Sequence, residues 1–133
     1  MQFIFFKVYK MSTKQEFVEQ AKTGKILTLQ CSKCLHYHLG TIYFCKKCGN
    51  SDFKKNIVDG VGTVATFTII TIPPSGFEDY VPYAWVVMKL KDITLRVSGF
   101  MSGIHSPSDL PVGTPIKVAG FDHRGLIMEK QQV

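Results

Sequence analysis

The chain has 133 residues, a hydrophobic fraction of 45% and a formal net charge of +6, which allows one ordinary domain or a mini-domain joined to a small one. No apolar run approaches the roughly 20 residues needed to cross a bilayer, so a membrane-spanning helix is excluded and a cytoplasmic globular protein is expected. The charge is uneven: residues 1–56 hold ten lysines against three acidic residues, a balance of +7, and residues 57–133 come to −1. Such asymmetry suits a polyanionic partner, although a solvated lysine surface gives the same balance.

The opening stretch, Met1-Gln2-Phe3-Ile4-Phe5-Phe6-Lys7-Val8-Tyr9-Lys10, is hydrophobic but short. With no basic segment ahead of it and no small-residue cleavage site behind it, it makes a poor signal peptide. It reads as an edge strand, or as an upstream extension ahead of a start at Met11. Ser12 with Gln15, or Thr13 with Glu16, forms a capping box for a short helix. Phe17, Val18 and Ala21 fall on one side of that helix, and Gly24 ends it in a left-handed cap.

Residues 25–30 alternate apolar and polar and lead as a strand into Cys31-x-x-Cys34. Ile42-Tyr43-Phe44 is expected as the return strand into Cys45-x-x-Cys48, after which Gly49-Asn50 supplies the turn. These are all four cysteines of the chain, and two close pairs separated by ten residues suit four thiolates on one tetrahedral zinc ion. A disulfide framework is disfavoured by the absence of a secretory signal. A redox pair would need only one Cys-x-x-Cys, in a strand-to-helix setting. The expectation is a structural zinc ribbon, closed by four sulfurs and therefore not catalytic. His36 and His38 could replace a cysteine, but with four cysteines present they read as surface groups or as residues lying beside the metal.

From residue 57 the texture is all-β. Residues 57–70 form a long β-branched run whose glycines, Gly60 and Gly62, suggest a bulge or sharp coil. Residues 73–82 make a loop with two aromatics, Phe77 and Tyr80. Residues 83–90 and 93–101 read as a hairpin around Lys91-Asp92, and residues 116–121 and 126–128 as a second around His123-Arg124-Gly125. Between the hairpins there is room for at most one turn of helix. Phe67, Tyr83, Trp85, Phe100 and Phe121 alternate mostly as core residues would. The fold class is mainly β: an N-terminal helix, a zinc ribbon and a C-terminal five-stranded barrel of the OB type, with an SH3-like barrel as the runner-up. The corresponding segments are residues 1–24, 25–56 and 57–133.

No catalytic constellation is visible, so an enzyme is not expected. No cysteine remains as a nucleophile, and Gly60-x-Gly62 lacks the strand-turn-helix context of a dinucleotide site. Two binding readings follow. A zinc ribbon beside an OB barrel could grip single-stranded nucleic acid through lysines and stacked aromatics, although the near-neutral barrel half argues against it. The other is an accessory subunit whose barrel loops present an aromatic slot to a smaller anion.

The ordered set of helix, paired Cys-x-x-Cys motifs, Gly60-x-Gly62-x-Val64 running into Thr66-Phe67-Thr68, Pro82-Tyr83, and Leu110-Pro111-Val112-Gly113-x-x-Ile116-x-Val118 resembles the family catalogued as domain of unknown function thirty-five. The likeness covers about residues 12–129. It implies a rubredoxin-like zinc ribbon joined to an OB fold, and an accessory role beside a thiolase, hydroxymethylglutaryl-CoA synthase or thiolase-like aldolase. It also implies bound CoA or acyl-CoA, for which Lys33, Lys46 and Lys47 on the ribbon and Phe77, Tyr80 and Tyr83 near the barrel mouth are the candidate contacts. The chain departs from the family pattern at Leu35, where glycine is usual. It departs again at Gly40-Thr41, in the region of a Pro-Arg-like pair, so Lys46 or Lys47 would supply the missing cation.

Overall fold

Residues 13–131 are described by a computed structural model; the opening stretch and Ser12 lie outside them, as does the side chain of Thr13 with its proposed cap. Helix α1, Thr13–Lys22, buries Phe17 and Ala21 and half-buries Val18, the spacing expected of one apolar stripe. Gly24 follows at φ +83°, where a residue with a Cβ would be strained.

Strand β1, Lys25–Cys31, lies between β2, Tyr37–Leu39, and β3, Phe53–Asp59, in an antiparallel sheet of order β2-β1-β3. The alternation of β1 gives way in the structure, because Ile26, Leu27, Thr28 and Leu29 are all buried. Helix α1 packs against the strand, and Gly40 closes on Leu27 with its N–H 2.9 Å from the Leu27 carbonyl. The buried Thr28 hydroxyl is satisfied, donating to the Asn56 carbonyl at 2.6 Å.

The return strand is not at residues 42–44. The first knuckle reverses the chain within five residues: Leu35 N–H donates to the Cys31 carbonyl and Cys31 N–H to the His36 carbonyl, both at 2.9 Å. Leu35 holds φ +66°, left-handed backbone that costs a side-chain-bearing residue about 1–2 kcal/mol. With the turn complete there, Gln30 pairs with Tyr37 and Thr28 with Leu39. Ile42-Tyr43-Phe44 instead bends into Cys45, leaving Tyr43 and Phe44 exposed.

The β-branched run also divides. β3 pairs along its full length with β1, which carries the ribbon sheet as far as Asp59. Strand β4, Val61–Ile70, begins the barrel. Gly60 joins them: its N–H donates to the Gly24 carbonyl at 2.9 Å, and its carbonyl accepts from Val118 N–H at 2.7 Å. A Cβ there would lie 2.8 Å from the Gly24 oxygen and 2.9 Å from Val118 Cβ. Helix cap, ribbon and barrel therefore meet at one point that only glycine fits.

The remaining strands are β5, Tyr83–Leu90; β6, Arg96–Ser102; β7, Pro115–Asp122; and β8, Gly125–Lys130. They close a barrel of order β4-β5-β6-β8-β7, with β4 meeting β7 antiparallel and β6 meeting β8 in parallel at Phe100 and Ile127. This is the five-stranded OB arrangement. The single turn of 3₁₀ helix between the hairpins spans Pro107–Asp109. β6 starts three residues later than the sequence suggests, since Leu90 N–H donates to the Leu95 carbonyl and residues 91–95 form the turn. Ala84, Val86, Met88, Val97, Ile116, Val118, Leu126 and Met128 fill the interior. Trp85, grouped with the core aromatics in the sequence, is exposed on the outer face, 3.5 Å from where a Cβ on Gly125 would sit. No helix among the described residues is long and apolar enough to cross a membrane.

Candidate metal centre and barrel platform

The two knuckles bring the cysteine sulfurs together, all four within 4.8 Å of one another. The Cys31–Cys48 and Cys34–Cys45 separations are both 3.5 Å, far beyond the roughly 2.05 Å of a disulfide. Four thiolates at about 2.3 Å from a shared ion would be about 3.8 Å apart. The cluster therefore has the dimensions to hold a metal ion, and its all-sulfur donor set is that of a soft or borderline metal.

The surrounding polar groups support negative sulfur. Cys34 N–H donates to Cys31 Sγ at 3.5 Å, Asn50 Nδ2 donates to the same sulfur at 3.5 Å, and Lys47 N–H donates to Cys45 Sγ at 3.4 Å. The Cys34 N–H bond chiefly, aided by Asn50 and Lys33, lowers the Cys31 thiol pKa to about 6 against desolvation. At Cys34 the His36 N–H favours the thiolate, but desolvation and the neighbouring sulfurs prevail and push the pKa up to about 11. Four thiolates in so small a space would need a cation, and a bound dication would supply that charge. His38 is buried, with Nε2 3.3 Å from Cys45 Sγ and its ring edge-on to Phe53. Burial, reinforced by the charges of His36 and Lys46, holds its pKa low, so it stays neutral beside the cluster. His36 lies at the surface.

At the barrel, Phe77, Tyr80 and Tyr83 do come together. Tyr80 ends the 3₁₀ turn Glu78–Tyr80; the Phe77 ring lies 5.9 Å from Tyr80 and 5.7 Å from Tyr83. Tyr83 is buried against Phe100 at 4.8 Å, so it backs the platform and presents no surface of its own. The sequence reading missed the β7–β8 turn as part of this site. Arg124 lies 4.9 Å from the Tyr80 ring and 4.7 Å from Phe100, and Asp122 holds it through Nε at 3.1 Å and Nη2 at 2.5 Å. His123 Nε2 sits 3.2 Å from the Tyr80 hydroxyl. The guanidinium depresses the Asp122 carboxyl pKa, and the carboxylate raises that of Arg124. Replacing Arg124 by alanine is expected to cost about 1–2 kcal/mol in denaturant melts, from lost cation–π and charge-assisted contacts that are only partly shielded from water.

Lys33, Lys46 and Lys47 are exposed around the knuckles. No ion pair, hydrogen bond or ring contact among the described residues links them to Phe77 or Tyr80.

Residues 57–121 match the family model described as ChsH2, C-terminal OB-fold domain. A "DUF35 domain-containing scaffold protein" of Pyrococcus furiosus is 32% identical over 89 residues, 63% of this chain and 64% of the relative. Over the matched stretches the chain is similar to DUF35 proteins. A protein of the same description from Methanocaldococcus jannaschii is 26% identical over 98 residues, 69% of this chain and 64% of the relative. The DUF35 match thus spans 64% of the length of each of these curated relatives. Among solved structures, a chain described as "Ltp2-ChsH2(DUF35) aldolase" is similar at a TM-score of 0.66 and 20% identity, covering 88% of this chain and 93% of that one. A Sulfolobus solfataricus DUF35 protein of unknown function is similar at a TM-score of 0.62 and 20% identity, covering 92% and 88%. At that identity the two structures speak to the fold.

Proposed function

We propose that this chain is a non-catalytic accessory subunit that holds acyl-CoA beside a thiolase or hydroxymethylglutaryl-CoA synthase type enzyme, with one structural zinc on Cys31, Cys34, Cys45 and Cys48. The observation that carries this reading is the platform of Phe77 and Tyr80 on the barrel, clamped by Arg124 and backed by Tyr83. A half-exposed aromatic surface braced by these contacts suits docking of a flat group or of a partner's side chain. The scaffold descriptions of the two archaeal relatives support the accessory role, and the name of the aldolase complex supports an enzyme as the partner. Lys33, Lys46 and Lys47 supply the positive face for phosphates or for an acidic partner surface. The tetrathiolate donor set and a closed site with no position left for substrate support zinc.

The test is a tagged pull-down from nuclease-treated source lysate, with co-purifying proteins identified by mass spectrometry. A thiolase or hydroxymethylglutaryl-CoA synthase recovered in stoichiometric amount is the expected result. Ribosomal or replication proteins that vanish on nuclease treatment, with tight oligonucleotide binding that falls steeply with salt, would replace it by the nucleic-acid reading.

A further inference from the structure

Lys89 on β5 and Arg96 on β6 are direct cross-strand partners, a geometry that sets facing Cβ atoms about 4.5–5.5 Å apart. Both are exposed, and neither takes part in an ion pair or side-chain hydrogen bond among the described residues. Like charges directly opposite each other destabilise a sheet. Elsewhere on the barrel, Arg124 is matched with Asp122 and Lys117 with Glu129, and Lys91 and Lys130, which take no ion pair among the described residues, do not face another cation across a strand pair. The Lys89–Arg96 pair stands out as repulsion left uncompensated.

The two cations line a cleft of about 360 Å³ between ribbon and barrel, together with His36, Tyr37, Thr94 and Leu95. The first knuckle delivers His36 and Tyr37 to one wall, and the β5–β6 hairpin forms the other. We propose that this cleft binds a small phosphate-bearing anion of nucleotide size, with Lys89 and Arg96 on the phosphate and Tyr37 against the organic part. An arginine fork beside a lysine point charge is the pairing that phosphate oxygens favour. A phosphate dianion neutralises both charges at once, whereas one carboxylate would leave half the repulsion. The volume lies within the range of small-molecule sites, about 300–1,000 Å³. The site is separate from the aromatic platform and does not depend on the acyl-CoA reading, although CoA carries this chemistry.

The experiment is calorimetric titration of pyrophosphate, and separately of CoA, into the full chain at low ionic strength, repeated with Lys89→Thr and Arg96→Thr. Pyrophosphate is expected to bind, and each substitution to weaken it about tenfold or more. Without ligand, each variant is expected to melt no lower than the parent protein, because the facing charge is gone; this separates a ligand site from a structural role. Failure of pyrophosphate to bind the parent protein, or affinity unchanged in both variants, overturns the proposal. Pyrophosphate binding that both variants weaken, without CoA binding, keeps the cleft site and counts against the acyl-CoA reading. CoA binding indifferent to both substitutions supports that reading and removes the cleft as its site.

Discussion

Cys34→Ala is expected to abolish metal binding and to cost several kcal/mol of stability. Three thiolates remain, but the fourth corner opens to water, and in a small ribbon the energy of metal binding is largely folding energy. The damage should spread beyond the knuckles. Cys31 ends β1, the central strand of the ribbon sheet, and β1 packs against α1, whose cap at Gly24 holds Gly60. Losing the metal therefore loosens a sheet on which the helix and the barrel entry both rest. Elemental analysis for zinc, together with thermal melts of the parent, the variant and the chelator-treated protein, checks this. Complete metal loss with an unchanged melting temperature would refute the structural role.

Gly62→Ala is expected to destabilise the barrel by about 3 kcal/mol, at the upper end of overpacking effects. Gly62 lies where β4 is flanked by β5 and β7, paired with Leu90 on one side and Ile116 on the other. A Cβ at this position would come within 1.9 Å of the Lys89 carbonyl oxygen and 2.8 Å of its carbon. The obstacle is backbone in the adjacent strand, so relief requires strands to part rather than a rotamer to change. Gly120→Ala is the matched control: nothing lies within 4 Å of its Cβ position and its backbone is not left-handed, so about 0.5 kcal/mol or less is expected. Urea midpoints for the two variants make the comparison. An equal effect in both would mean that the close strand approach at Gly62 is not a constraint.

The four-cysteine cluster was legible because its signal is local. Two Cys-x-x-Cys pairs place four sulfurs with no knowledge of the rest of the chain, and the structure gathers them within 4.8 Å. The position of β2 was not legible in the same stretch. Residues 42–44 have the better strand composition, but hydrogen bonding through a left-handed Leu35 completes the reversal earlier, and pairing starts as soon as the chain has turned. Composition measures propensity; it does not say where a turn ends.

Sequence alone determined the helix, the four-cysteine cluster and the five-strand barrel, since an apolar stripe, cysteine spacing and period-two alternation act over a few neighbouring residues. Tertiary structure decided where the long β-branched run breaks, because Gly60 must admit the Gly24 carbonyl and Val118 at once. It also decided which polar residues meet. Tyr80 and Arg124 are far apart in the chain, and Lys89 and Arg96 are unremarkable surface cations until strand register sets them face to face. Register is a property of paired strands, so charge placement across a sheet cannot be read from one strand's pattern.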